Sequence, residues 1–230
     1  INIIAWDNTL ERLASKLRRL YQCAEANHYV RQDGSTTAKF VNLDMEEYRD
    51  LELTVALFQK VLSEFKGLRA GIVLQAYLPD SFPIQKELTE WAKNRVNQGG
   101  APIKIRLVKG ANLAQEIVEA AIQNWEQAPY YTKQETDTSF KQMLEYGLAP
   151  ENCRAAHIGV GSHNIFDIAY ALVLMAENHG EPYVEFEMLE GMADHIRRAV
   201  HENSKNMVLY CPVVNDANFV TAIAYLMRRL

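Results

Sequence analysis

The chain has 230 residues, 48% of them hydrophobic, enough for one well-packed domain or for a large piece of a bigger one. Its 24 basic and 29 acidic residues are interspersed, and the net charge of -5 leaves no basic face for nucleic acid. Cys23, Cys153 and Cys211 fit neither a C-x-x-C metal pattern nor a disulfide framework, which points to a reducing, cytoplasmic compartment. No cleavable leader pattern and no apolar run of about 18 residues occurs, so any membrane contact is expected to be peripheral.

Residues 6–28 read as a helix, with Trp6, Leu10, Leu13, Leu17 and Leu20 or Tyr21 recurring at helical spacing. Polar, turn-rich residues 31–39 read as a loop. A regular alternation then begins. The expected strands are 40–44, 71–77, 103–110, 153–160, 183–189 and 206–213. The expected helices are 45–65, 83–98, 113–127, about 136–146, 164–180, 193–203 and 215–230. Pro83 opens one helix and Gly99-Gly100 stops it.

Six strand–helix units of this kind pack most simply as buried parallel strands flanked by helices. No G-x-G-x-x-G follows an early strand, which removes the main support for a dinucleotide-binding sheet. Instead polar residues collect at the strand ends: Asp44, Gln75, Lys109, His163, Glu190 and Tyr210. In a (β/α) barrel that rim carries the chemistry. Six units do not close an eight-stranded barrel, so the chain reads as a piece of a longer protein or as an open sheet.

Several strand-end residues have two readings. Asp44 suits an N-cap for a helix starting at Met45, with Glu47 completing a capping-box-like pattern. Arg228 and Arg229 offer planar forks for a carboxylate, or simply complement the dipole of a last helix. Of the alternating pair Glu185 and Glu187, at most one is expected to face the interior. The histidines are scattered without H-E-x-x-H, so no metal site is expected.

The strings FVNLDMEEYRDLELT, VLQAY, IRLVKGA, SHN, VEFEMLEGM, YCPV and MRRL occur in that order from about residue 40 to the end. Together they resemble the proline dehydrogenase domain, including the one inside bifunctional bacterial proline-utilisation proteins. The resemblance implies a distorted (βα)8 TIM-like barrel. Residues 1–39 would be a leading helix and loop, and 40–230 strands three to eight with the last helix. Two earlier strands, one carrying a lysine, and a glutamate beyond the arginine pair would lie outside these residues.

The resemblance also implies FAD as cofactor, L-proline as substrate and a membrane quinone as electron acceptor. Fusion to an NAD-dependent aldehyde dehydrogenase and homo-oligomerisation are both compatible with it. It places Asp44, Leu189, Tyr210, Arg228 and Arg229 at the substrate. It places Gln75, Arg106, Val108, Lys109, Gly110, Lys133, Thr136, His163, Asn164 and Glu187 at the FAD. Asn112 and Leu113 depart from the tyrosine and tryptophan that several members carry after K-G-A. Two other readings stand beside this one: a different barrel enzyme with a Schiff-base lysine at Lys109, and a truncated, non-catalytic barrel.

Overall fold

The computed structural model describes residues 5–204, 206–211, 213–216, 219–220 and 223. Helix α1 (Trp6–Ala26) buries Ala14, Leu17, Tyr21 and Ala24, a stripe at spacings of three and four. Tyr21, rather than Leu20, is the buried choice, and its ring meets Phe65 edge-on at 5.7 Å. A small antiparallel hairpin follows, β1 (His28–Val30) with β2 (Thr36–Ala38), in place of part of the expected loop. Each of its strands has three residues, too few to show an alternation. Gly34 supplies the positive φ of its turn.

The remaining strands are β3 (Val41–Leu43), β4 (Ala70–Gln75), β5 (Ile103–Val108), β6 (Ala156–Gly161), β7 (Val184–Leu189) and β8 (Met207–Tyr210). They form one six-stranded sheet in chain order, parallel throughout. The intervening helices are α2 (Leu51–Leu62), α3 (Ser81–Asn97), α4 (Leu113–Gln123), α5 (Lys133–Leu148), α6 (Pro150–Cys153), α7 (Ile165–Glu177) and α8 (Asp194–Ser204). Strand order that follows chain order, with helices as crossovers, curls the sheet into an open, distorted barrel. The fold class read from the sequence is therefore correct, and the expected helix 215–230 lies largely outside the described residues.

Alternation along the strands separates two environments. Ile72, Leu74, Ile103, Ile105, Leu107, Ile158, Val160, Phe186 and Met188 are buried in the apolar core cluster. The alternate positions Val73, Gln75, Arg106, Val108, Gly161, Glu187 and Leu189 line an interior cavity.

The largest difference from expectation is the start of α2. A helix from Met45 is predicted, but the helix proper begins at Leu51, after a 3-10 turn at Tyr48–Asp50. The side-chain amide of Gln75 donates to the carbonyls of Met45 (3.0 Å) and Glu46 (3.1 Å), and Asn112 donates to Glu46 as well (2.8 Å). The Tyr48 N–H is taken by the Glu116 carboxylate at 2.7 Å. Tertiary partners have claimed the backbone groups an early helix would use. Asp44 and Glu47 therefore do not form a helix cap. Elsewhere the differences are small. Left-handed Asn124 ends α4 early, and a capping box of Thr132 and Glu135 starts α5 at Lys133.

Candidate active site

The carboxyl ends of β4 to β8 and the loop after β3 surround one cavity of about 450 Å³. That size suits a small-molecule or cofactor site. Asp44, Gln75, Arg106, Val108, Lys109, Gly110, Lys133, His163, Asn164, Glu187, Leu189 and Tyr210 all line it. Thr136 does not; its hydroxyl donates to the Thr132 carbonyl within α5. Arg228 and Arg229 lie outside the described residues.

Arg106 is the electrostatic centre. Its guanidinium donates to Asp44 at 2.6 Å, lies 3.6 Å from Glu187 and sits 4.5 Å over the ring centroid of Tyr210. Burial disfavours the charge on Arg106, but Asp44, Tyr210 and Glu187 outweigh that and raise its pKa. Burial, followed by the charge of Glu187, raises the Tyr210 phenol, so it stays protonated at neutral pH. Glu185 and Glu187 both point inward, and each carboxylate lies 2.9 Å from Lys104 Nζ. The expectation that only one faces inward fails because residues two apart on a strand share a face.

Lys109 is pinned between Asp137 of α5 (2.5 Å) and buried Asp167 of α7 (2.7 Å). Lys133 also pairs with Asp137. Burial opposes the charge on Lys109, yet its hydrogen bonds to the two aspartates prevail and raise its pKa. A lysine held protonated is a poor nucleophile, which argues against Schiff-base chemistry here.

Gln75 is 3% exposed, and besides its two donations its Oε1 faces the Ala111 N–H at 3.4 Å. It joins the loops after β3 and β5. Gly110 has φ +127°, and a Cβ there would fall 1.5 Å from the buried Tyr77 ring. The backbone of this loop therefore lies flat against Tyr77 and presents itself bare to the cavity.

Asn164 caps α7 by accepting from the N–H groups of Phe166 and Asp167. His163 Nε2 accepts from the Leu189 N–H at 3.1 Å. Burial lowers the pKa of His163, so the ring is neutral and carries its proton on Nδ1, a buried atom with no partner among the described residues. Arg106 Nε likewise has no hydrogen-bond partner among the described residues.

Sequence reasoning did not assign Lys104, Asp137 or Asp167. Lys104 was visible as the inward partner of Arg106 two positions earlier on the strand. Asp137 and Asp167 lie on helices, and nothing in their spacing links them to Lys109. Among the described residues no cluster of three or more His, Cys, Asp or Glu side chains could hold a metal ion. No described helix is long and apolar enough to cross a membrane.

A barrel with a polar rim and a charged interior defines the class, and the sequence comparisons narrow it. The sequence matches the proline dehydrogenase family over residues 5–230. The chain belongs to that family. It is 28% identical over 205 residues to the Bifunctional protein PutA of Klebsiella aerogenes, covering 83% of this chain and 15% of that protein. It is 26% identical over 193 residues to the Proline dehydrogenase of Deinococcus radiodurans, covering 83% of this chain and 53% of the relative. The solved Proline Utilization A of Corynebacterium freiburgense superposes with a TM-score of 0.89 at 46% identity, over 98% of this chain and 23% of the other. That of Bdellovibrio bacteriovorus, inactivated by N-propargylglycine, gives 0.85 at 34% identity over 98% and 22%. The chain thus spans between about a seventh and about half of the curated relatives' length.

Proposed function

We propose that this chain forms strands three to eight of an FAD-dependent proline dehydrogenase, which oxidises L-proline to 1-pyrroline-5-carboxylate and passes the electrons to a membrane quinone. The observation that carries this is the setting of Arg106. It stands at the rim of an open barrel in a proline dehydrogenase family chain, with Asp44, Glu187 and Tyr210 around it.

The residues fit a flavin. Val73, Val108 and Leu189 offer an apolar wall for a flat ring, and the loop at Gly110 offers bare backbone. The Nδ1–H of His163 and Nε–H of Arg106, which have no partner among the described residues, are donors for a polar edge. Lys133, largely exposed at the cavity margin, suits a diphosphate. FAD, when bound, supplies the hydride-accepting chemistry.

Oxidation of a secondary amine removes a hydride from carbon and a proton from nitrogen. Asp44 accepts from Arg106 through one oxygen, and its half-exposed carboxylate can meet the substrate ammonium. Tyr210 gives an aromatic wall and a phenolic donor. Leu189 adds apolar contact beside the ring of the substrate. Arg228 and Arg229 are assigned to the substrate carboxylate by the family motif alone. Arg106, kept charged, stabilises negative charge that develops at the ring edge, a case of electrostatic preorganisation. A fused aldehyde dehydrogenase and a cytoplasmic location with peripheral membrane contact complete the proposal.

The test is turnover by the intact protein with L-proline and a soluble quinone analogue. Proline-dependent reduction that Arg106→Met strongly slows supports the reading. No reduction, with FAD added and the protein folded, rejects it.

A further inference from the structure

We propose that Lys104 is a positioning residue for Arg106, acting through Glu187 across strand β6. The inference rests on the reading of Arg106 as a residue that faces the flavin. Lys104 precedes Arg106 by two positions on β5, so it shares the interior face one layer deeper. Its side chain is 4% exposed, and its Nζ lies 2.9 Å from both Glu185 Oε2 and Glu187 Oε1. Both glutamates belong to β7, which is not a neighbour of β5, because β6 lies between them.

The crossing is possible because β6 is bare at that point. A Cβ on Gly159 would fall 2.0 Å from Glu187 Oε1 and 3.4 Å from Arg106 Cα. Glu187, 1% exposed, therefore reaches over a glycine. It places one oxygen against Lys104 and the other 3.6 Å from Arg106 Nη1. One carboxylate joins a deep cation to a rim cation.

Without Lys104, Glu185 and Glu187 would face each other on one strand face with no cation between them. Glu187 would then turn away from Glu185 and from its place beside Arg106. Among the described carboxylates Arg106 would keep Asp44, whose side chain is 58% exposed and which the substrate ammonium also claims. The network holds two cations and three carboxylates, so losing Lys104 also makes the cavity floor more negative. Added negative charge disfavours a reduced, anionic ring more than an oxidised one.

The experiment uses the intact protein with FAD and compares wild type with Lys104→Met, Lys104→Gln and Lys104→Arg. The Gln variant keeps a donor between the carboxylates and guards against simple loss of fold. The readouts are bound flavin, midpoint potential, and kcat and KM for proline. We expect the Met and Gln variants to retain FAD. Their affinity ratio for reduced over oxidised flavin should fall about tenfold, a drop of about 30 mV for a two-electron couple. The fall should appear in kcat more than in KM, and Arg should restore most of it. Folded, FAD-loaded Lys104→Gln with wild-type potential and turnover overturns the positioning role, while wild type still bleaching with proline leaves the proposed function standing. Wild type that takes up no FAD sinks both.

Discussion

The loop that presents backbone to the cavity depends on Gly110, and replacing it by alanine tests that dependence. At φ +127° an alanine is strained, which costs about 1–3 kcal/mol. Its Cβ would also lie 1.5 Å from Cδ1 and 1.8 Å from Cε1 of Tyr77. Tyr77 is 2% exposed and its N–H donates to the Lys109 carbonyl, so the ring has nowhere to go without moving that loop. Overpacking of this kind adds about 1–3 kcal/mol. The total, about 2–6 kcal/mol, corresponds to a fall in Tm of roughly 5–20 °C for a domain of this size. Gly99→Ala is the control: φ is +79°, but nothing lies within 4 Å of the added atom, so only the backbone term of about 1–2 kcal/mol applies. Thermal and urea unfolding of both variants, with flavin retention measured in parallel, is the assay. Equal losses for the two variants, or a Gly110→Ala protein as stable as wild type, would refute the steric argument.

Asp44→Ala should change stability by less than about 1 kcal/mol, because the Asp44 side chain is more than half exposed, yet lower kcat/KM for proline more than tenfold; unfolding and steady-state kinetics separate the two. Lys109→Met should cost about 1–3 kcal/mol, since it leaves the buried Asp167 carboxylate without its cation; a variant also carrying Asp167→Asn should recover part of that loss in a double-mutant cycle. At the floor of the barrel, burial and then Arg69, 3.0 Å away, push His157 down to about 4. Unfolded histidine takes its proton near 6.5, so the unfolded chain binds more protons between those values, and stability should fall by about 2–3 kcal/mol as pH drops from 6.5 to 4. His157→Gln should flatten that slope in urea titrations across the range. Thr132→Ala should lose the capping box of α5 and about 1 kcal/mol, measured by urea midpoint.

The strand–helix rhythm was legible because each buried strand is a short apolar run bounded by turn residues, and each helix carries its own periodicity. Ile103, Ile105 and Leu107 alternating with Lys104, Arg106 and Val108 already separate core from cavity. The rim was legible for the same reason, since a polar residue at the end of an apolar strand has few places to go. The loop after β3 was not legible. Met45 to Leu62 has a strong helical composition, and only Gln75 and Asn112, distant in sequence, unwind its start. Lys109's partners were hidden in the same way, because an aspartate on a helix reveals its partner only through the tertiary packing. Glu185 was misread through the period of the strand, although an alternation of two puts it on the same face as Glu187.

The central claim is that the cavity at the strand ends holds a flavin that proline reduces. The most direct measurement is the visible absorption spectrum of the intact protein before and after anaerobic addition of L-proline. The account predicts flavin bands that bleach on addition of proline and do so far more slowly in Arg106→Met. A folded protein that shows no flavin bands even after FAD is added, or bands that proline leaves untouched, would contradict it.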